Sequence, residues 1–544
     1  LYEKLRFRWS LSSSKLLALT AFYFSVILNY PFYAKVLSIH PLTHTSADYF
    51  IYTMPLVIFV ILNAAFQIIA IPVIHKIIMP CLIVISAAIS YNTLFFDIYF
   101  NREMLQNVVQ SNLAEGSRLI TWTYLEWLLA FGFVPALLYC LTRVNYHHVV
   151  KEVLVRLSMI LLSVLLFVGV AAFFYQDYSA FFRNNKSLTH LLVPSNFIGA
   201  TINVIQDLRA ANLPYVQLDL KASQAKTDQD RHVTVLIIGE TTRAKNWGLN
   251  HYERQTTPLL AKRGEDVINF QHMTSCGTST AVSVPCMFSS LDRKHFSNVQ
   301  ADHQDNLLDI LQRAGIAIKW LNNNSDCKGV CKHIPYQNVT TLNLAEYCRN
   351  GECLDNILLT QVDQLLDSTD KDTVLVLHTI GNHGPTYYER YTPEYRQFVP
   401  TCDTNQINRC SKQQLVNTYD NGILYVDQFI DQVISKLEQR QHLQSAVIYV
   451  SDHGESLGEK GVYLHAAPYV IAPTEQTHIP MIMWFSPRWK ASQQVDLTCL
   501  RQKAKEEAYS HDHFFSTVFG LMQMSEESET YQQDMDILRR CRIR

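Results

Sequence analysis

The sequence predicts an α-helical membrane domain of about five transmembrane helices, followed by a soluble α/β domain with a mostly parallel sheet and helices on both faces. Three observations carry this. The first 176 residues are strongly apolar, although mean hydropathy over the whole chain is only +0.01. Beyond them, short β-branched runs alternate with longer amphipathic segments. Ten of the 12 cysteines lie beyond residue 275, the usage of a chain segment that folds in an oxidising compartment.

The apolar part resolves into spans of about 20 residues, the length that a bilayer core demands. They fall near Leu16–Pro31 (extending toward Val36), Tyr49–Ala70, Ile77–Phe96, Thr121–Leu141 and Leu154–Phe174. A signal peptide is the rival reading of the first span. Four further spans and the lack of a small-residue cleavage site argue against it. Lys4, Arg6, Arg8 and Lys15 precede span one, Lys76 follows span two, and Arg143, Lys151 and Arg156 follow span four. The alternate loops carry only Lys35, Arg102 and Arg118. This bias predicts a cytoplasmic N-terminus, and five crossings place everything after Gln176 on the outer side.

The predicted organisation is a transmembrane domain over 1–180, an interfacial helix (Phe197–Ile205) and linker (Lys221–Arg231) within 181–231, and a catalytic domain over 232–544. A chain of 544 residues exceeds one ordinary core. A net charge of -2 gives no support to nucleic-acid binding. Cys81 and Cys140 lie in or beside spans and are expected to be free. Cys276, Cys286, Cys327, Cys331, Cys348, Cys353, Cys402, Cys410, Cys499 and Cys541 are even in number and closely spaced, so sequential pairing is expected. Metal binding by Cys327 and Cys331 lacks a matching second pair. In the outer loop Asp97–Ile120, Asn107, Ser111 and Glu115 are four apart and share one helix face, either a solvated strip or one turned to a substrate.

In the soluble part, Val233–Ile238, Ala317–Trp320, Thr373–His378 and Ala446–Val450 read as strands, with helices such as Leu307–Ala314 and Leu354–Leu366 between them. Three strands run directly into reactive residues: Glu240, then His378 and His383, then Asp452 and His453. Ligands of open α/β sheets bind beyond the carboxyl ends of strands, so these side chains should converge at one rim. A single strand-end acid is as often a helix cap as a ligand. Three strand ends with the same pattern favour a zinc-type ligand set. The segment Ser275–Cys286 supplies hydroxyls at the start of a helix over Ala281–Ser289. A metal-assisted nucleophile there is Thr278, Ser279 or Thr280, and the residues alone do not choose among them; the plain alternative is a capping turn.

The segments Gly239-Glu240-Thr241-Thr242-Arg243, Ser275–Ser289, Asn323–Val330, Gly381-Asn382-His383-Gly384-Pro385 and Ser451–Glu459 resemble the lipid A phosphoethanolamine transferases. That family belongs to the alkaline-phosphatase-like (sulfatase-like) superfamily, and its members include meningococcal-type enzymes and the transferable colistin-resistance (polymyxin-resistance) enzymes. The resemblance covers essentially the whole chain. It implies Thr280 as the catalytic nucleophile, with Glu240, Thr280, Asp452 and His453 as ligands of one tightly held Zn2+. It implies that His383 and His465 bind a second zinc or the phosphate group. His378, Lys328 and Asn324 would line the phosphate pocket, with Lys328 and His383 taking part in catalysis. Asn107, Ser111 and Glu115 match positions tied to lipid binding; some relatives carry Thr at the place of Ser111, and some lack the bridge around Lys328. The implied reaction moves phosphoethanolamine from phosphatidylethanolamine to a lipid A phosphate through a phosphothreonine-type intermediate and releases diacylglycerol. The enzyme would be a monomer of the bacterial inner membrane with its catalytic domain in the periplasm.

Other readings were weighed against this one. A sulfatase nucleophile motif needs C/S-x-P-x-R, and Ser283-Val284-Pro285-Cys286-Met287 ends in Met. A phosphoethanolamine or phosphoglycerol transferase acting on another envelope glycan or lipid acceptor is the alternative. A transporter would need paired charges within the spans, which are few. His511-Asp512-His513 looks like a ligand cluster, but Asp512 reads better as the cap of a helix over Phe514–Met522. His147-His148 reads as an interfacial pair.

Overall fold

The computed structural model describes the chain apart from residues 1–9, 43–47, 70, 112–119, 211–212, 226–229, 369, 405–406, 408–409, 460–461 and 544. Glu115, the basic residues Lys4, Arg6 and Arg8, and Arg118 lie outside the described residues. The fold divides into two compact units, one of Leu1–Leu105 with Ile120–Ile202, the other of Gln106–Leu119 with Asn203–Arg544.

In the first unit, four helices are long and apolar enough to cross a membrane: Tyr49–Ile69, His75–Phe96, Trp122–Leu141 and Val149–Phe174. Two further helices, Ser13–Leu28 and Tyr30–Ile39, are bent at 44° to each other and together are long and apolar enough to make a fifth span if counted as one. Asn29 holds the bend. Asn29 is fully buried between the two halves, and its amide donates to Phe24 O at 3.0 Å and to Val193 O at 2.8 Å. Its side-chain oxygen accepts from Val193 N at 2.9 Å. The freed backbone groups of the break are thus satisfied inside protein, as a membrane interior requires. The 36-residue helix Val149–Asn184 leaves Leu154, Leu157, Leu161 and Leu165 more than half exposed, an apolar strip suited to lipid tails rather than water. Its inner side is pinned by a hydrogen bond between Asn63 and Ser163 at 2.9 Å. Cys81 and Cys140 are free and exposed in this unit.

In the second unit an eight-stranded sheet forms the centre. In chain order its strands are β1 His232–Gly239, β2 Val267–Thr274, β3 Ala317–Asn322, β4 Tyr336–Asn338, β5 Thr373–His378, β6 Gln444–Ser451, β7 His478–Phe485 and β8 Tyr509–Ser510. They lie side by side in the order β8-β2-β7-β6-β1-β5-β3-β4, with β7 antiparallel to both its neighbours and the other pairings parallel. β1 and β6 are buried at every position, the mark of central strands covered on both faces. One face carries Leu236, Ile238, Ile448 and Val450. It packs under α1 Thr280–Met287, α2 Leu307–Arg313 and α4 Asp512–Leu521. The opposite face meets α3 Lys412–Glu438, whose start is fixed by a capping box between Ser411 and Gln414.

The predicted strands appear: Thr373–His378 with the bounds expected, the other three longer by two or three residues. β2, β4, β7 and β8 were not anticipated. Five disulfides pair in sequence: Cys276–Cys286, Cys327–Cys331, Cys348–Cys353, Cys402–Cys410 and Cys499–Cys541. The segment read as a linker is partly docked: Ala225 N donates to Gln523 O, and Ser525 N to Ser223 O, both at 2.8 Å.

Candidate active site

The site follows from strand register. Gly239 of β1 pairs with Ser451 of β6, Ile238 pairs with His378 of β5, and His378 pairs with Asn322 of β3. Four parallel strands therefore end in one row, and Glu240, Thr379, Asn323 and Asp452 are the first residues beyond it. Glu240, Asp452 and His453 are all buried and meet with ligand atoms within 4.8 Å of one another. The loop Thr379–His383 folds back over β1. Gly381, at φ +49°, lies so close that a Cβ would stand 2.4 Å from Glu240 O, so glycine is required there. The buried carboxylate of Asp355 fixes this loop by accepting from Ile380 N at 2.8 Å and Gly381 N at 2.9 Å.

The hydroxyl segment now separates into three different roles. Thr278 Oγ1 donates to Ala467 O at 2.6 Å, which commits it to holding a neighbouring loop. Ser279 is the N-cap residue of α1, and its buried hydroxyl has no partner. Thr280 is the first residue of α1, and its Oγ1 lies 3.0 Å from Glu240 Oε2 and 3.4 Å from His453 Nε2. It also sits at the positive end of the helix dipole.

Glu240, Asp452 and His453 thus offer ligand atoms to one enclosure, with Thr280 Oγ1 beside it. His453 Nε2 is 3.2 Å from Glu240 Oε1 and 3.4 Å from Asp452 Oδ2. Ligands bound at about 2.0–2.1 Å in a tetrahedron stand about 3.3 Å apart, so these separations fit a zinc-sized ion. The tautomer fits as well: His453 Nδ1 bonds Gly454 O at 2.8 Å, which leaves Nε2 as the lone-pair face. Asp452 Oδ2 is buried and accepts no hydrogen bond of normal geometry, the state of an atom that awaits a ligand. Burial by itself lowers the His453 pKa, but Asp452 and Glu240 outweigh it and hold the ring on the protonated side. Burial, reinforced by Glu240, raises Asp452. Both shifts express the demand of this enclosure for positive charge, from a proton or a metal.

Around this cluster, Asn324 donates to Glu240 Oε2 at 2.8 Å and to Thr379 O at 2.9 Å, so it braces a ligand carboxylate. That contact differs from the phosphate-lining place expected for it. Thr241 Oγ1 donates to Glu240 Oε1 at 2.5 Å. The His465 ring lies against that of His453, tilted by 39°, with centroids 4.4 Å apart, and the His383 ring centroid is 5.6 Å from that of His465. Burial, then the neighbouring His453, lowers the His465 pKa. His378 is buried with Nδ1 2.8 Å from Asn322 Oδ1, and burial lowers its pKa to about 4. Lys328, at φ +50°, bonds Ser325 Oγ at 2.9 Å and has its side chain only 5% exposed. It shares a cavity of about 300 Å³ with Ala281 and Pro285 of α1 and with Val109, Val204 and Leu208. Asn107 is half-buried on the helix Arg102–Gln110, and Ser111 continues its last turn with N and Oγ both 2.8 Å from Asn107 O.

One sequence reading is corrected here. Asp512 does not cap its helix; its carboxylate accepts from Arg293 N at 2.8 Å. His511 is no ligand but a buried brace, with Nδ1 3.0 Å from Cys276 N and Nε2 3.0 Å from Ser451 O. Sequence reasoning also missed Asp355 and Asn324 as supports of the ligand loops. Their partners are remote in the chain, and the family resemblance draws attention only to Asn324, for a different role.

A mostly parallel sheet with carboxylates, imidazoles and a hydroxyl at its carboxyl edge, three of them a group that could hold a metal ion, has the architecture of the sulfatase-like hydrolases and transferases. Residues 232–524 match the family described as "Sulfatase", and residues 58–208 match "Phosphoethanolamine transferase EptA/EptB". The chain is 43% identical over 545 residues to phosphoethanolamine transferase EptA of Escherichia coli K12, covering 99% of both chains. It is 33% identical to phosphatidylethanolamine transferase Mcr-1 of Escherichia coli, covering 95% of this chain and 96% of the relative. A solved structure of the integral membrane lipooligosaccharide phosphoethanolamine transferase A from Neisseria meningitidis superposes with a TM-score of 0.97 at 57% identity. It covers 98% of this chain and 100% of that one. The chain belongs to the lipid A phosphoethanolamine transferases, within the alkaline-phosphatase-like superfamily.

Proposed function

We propose that this enzyme takes phosphoethanolamine from phosphatidylethanolamine and delivers it to a lipid A phosphate, with Thr280 as the intermediate carrier and zinc as the resident metal. The observation that carries the reading is the approach of Thr280 Oγ1 to Glu240 and His453 inside a buried donor cluster. When bound, a divalent cation held by Glu240, Thr280, Asp452 and His453 would supply Lewis acidity and neutralise charge at the phosphoryl group.

The chain's own residues do the rest. Thr280 directs its hydroxyl proton at Glu240 Oε2 and presents its oxygen to the phosphorus of the donor lipid. An oxygen–phosphorus bond forms at Thr280, and the bond to the diacylglycerol oxygen breaks. Lys328 and His378 flank the equatorial phosphoryl oxygens, with Lys328 offsetting their charge. His383 and His465 stand at the mouth of the cluster and give the departing glycerol oxygen its proton, or hold the phosphate group with a second zinc. A lipid A phosphate oxygen then attacks the phosphorus and frees Thr280. The cavity beside Lys328, with Val109, Val204 and Leu208 on its walls, suits the glycerol and first methylenes of a lipid. Asn107, Ser111 and Glu115 belong to the lipid-binding surface.

The distribution of Lys and Arg together with five disulfides supports a bacterial inner-membrane protein with a cytoplasmic N-terminus and a periplasmic catalytic unit. Intact-protein mass after incubation with phosphatidylethanolamine is the direct test. A single added headgroup mapped to Thr280, absent from Thr280→Ala, is expected. A Thr280→Ala protein that still gains the headgroup overturns the nucleophile assignment.

A further inference from the structure

We propose that His511 is a positioning residue for the transfer reaction, an uncharged two-ended spacer that sets the distance between the nucleophile segment and the strand end presenting Asp452 and His453. The inference rests on the reading that these residues form the reacting site. Its basis is the pair of contacts already described. One ring nitrogen meets Cys276 N, four residues before Thr280, and the other meets Ser451 O, one residue before Asp452. A backbone N–H can only donate and a carbonyl can only accept. Nδ1 must therefore be the acceptor and Nε2 must carry the hydrogen, and a doubly protonated ring would set two N–H groups against each other. A five-membered ring with an acceptor and a donor at separate corners satisfies both ends; no apolar side chain does.

The position of the ring distinguishes this role from that of an ordinary buried histidine. His511 is itself anchored, because its backbone N donates to Thr274 O at 3.0 Å, at the end of β2. Cys276 is fixed a second time by its disulfide to Cys286 near the end of the nucleophile helix. Ser451 is likewise part of the ligand strand's turn: its Oγ donates to His453 O at 2.9 Å and accepts from Thr242 N at 2.9 Å. Displacement at either end of the ring is thus passed to Thr280 on one side and to Asp452, His453 and the Glu240 loop on the other. A packed polar bridge between rigid elements transmits such a shift because its surroundings have no slack. Misplacement of reacting groups by about 1 Å is enough to cost about 100-fold in rate.

The test uses the full-length protein in lipid nanodiscs and compares His511→Phe, which keeps a ring but bonds to neither end, with His511→Asn, whose side-chain oxygen takes the place of Nδ1 and can accept from Cys276. Headgroup transfer is read as turnover, alongside thermal melting and zinc affinity by competition with a chromophoric chelator. His511→Phe is expected to lose roughly 10- to 100-fold in kcat with KM for phosphatidylethanolamine unchanged. It should also bind zinc several-fold more weakly, and His511→Asn should recover part of both. A folded His511→Phe enzyme with wild-type kcat and zinc affinity overturns the proposal, as does a loss confined to KM. If His511→Phe does not fold, His511→Asn decides: wild-type values in both readouts, or a loss in KM alone, overturn the proposal. Turnover does not depend on which residue carries the intermediate. A wild-type enzyme that turns over without gaining mass on Thr280 therefore sinks the nucleophile assignment and leaves the comparison of variants readable.

Discussion

Gly381→Ala is the sharpest single perturbation of the Glu240–Asp452–His453 cluster, because it replaces none of its side chains and removes no hydrogen bond. The new Cβ would stand 2.4 Å from Glu240 O, 2.9 Å from Glu240 N and 3.0 Å from Glu240 Cβ. Real Cβ contacts do not fall below 3.0 Å, so relief requires the two segments to part by about 0.6 Å in a close-packed interior. The loop cannot simply lift away, since Asp355 grips Ile380 N and Gly381 N from behind and Asn382 N bonds Glu240 O at 3.1 Å. Glu240 therefore moves. Holding alanine at φ +49° adds about 1 kcal/mol of backbone strain. We expect a folded protein destabilised by about 1–3 kcal/mol, with headgroup transfer slowed about 10-fold or more and zinc affinity reduced. Thermal melting, turnover on phosphatidylethanolamine and chelator competition measure the three effects. A Gly381→Ala enzyme with wild-type turnover and zinc affinity would refute the claim that this loop fixes the position of Glu240.

Three other outcomes follow from the same geometry. Stripping the enzyme with a strong chelator should abolish transfer, zinc should restore it, and Glu240→Ala should show no such restoration in metal-content and activity measurements. His378 and His511 are both pushed down to about 4 by burial. The folded state then binds fewer protons than the unfolded state between pH 6.5 and 4, so their contribution is complete above pH 6.5 and is lost as pH falls through that window. At about 3 kcal/mol per ring, chemical denaturation from pH 7 to 4 should show a steep decline that His511→Asn makes shallower. Replacing Cys276 and Cys286 together by serine opens a closed loop of 10 residues. This should cost about 2–3 kcal/mol in a melting experiment and slow adduct formation.

The parts of this architecture that are written locally were legible from the residues. β1, β5 and β6 are continuous β-branched or apolar runs, and each runs straight into Glu240, His378 or Asp452. The convergence of the site thus follows from the topology of a parallel sheet. The bend at Asn29 was not readable, because its cause is a bond to Val193, 164 residues away. β7 and β8 escaped notice because their pairing with β2 depends on strands assembled across more than 200 residues. Asn324 bonds Glu240 84 residues away, and Asp355 bonds Gly381 26 residues away; the resemblance names Asn324 for another role, and neither support is readable until the fold is known. The different partners of Thr278, Ser279 and Thr280 were unreadable for the same reason.

The shared row in which β1, β3, β5 and β6 end has a consequence for how this family can vary. Side chains alternate faces along a strand, so gaining or losing one residue inside β1 would turn its inward set outward and carry Glu240 about 3.3 Å along the strand axis away from Asp452. Insertions between strands leave that alignment untouched. Divergent members should therefore differ in the length of their surface excursions, while the residue count from the start of each inner strand to its terminal acid or imidazole stays the same.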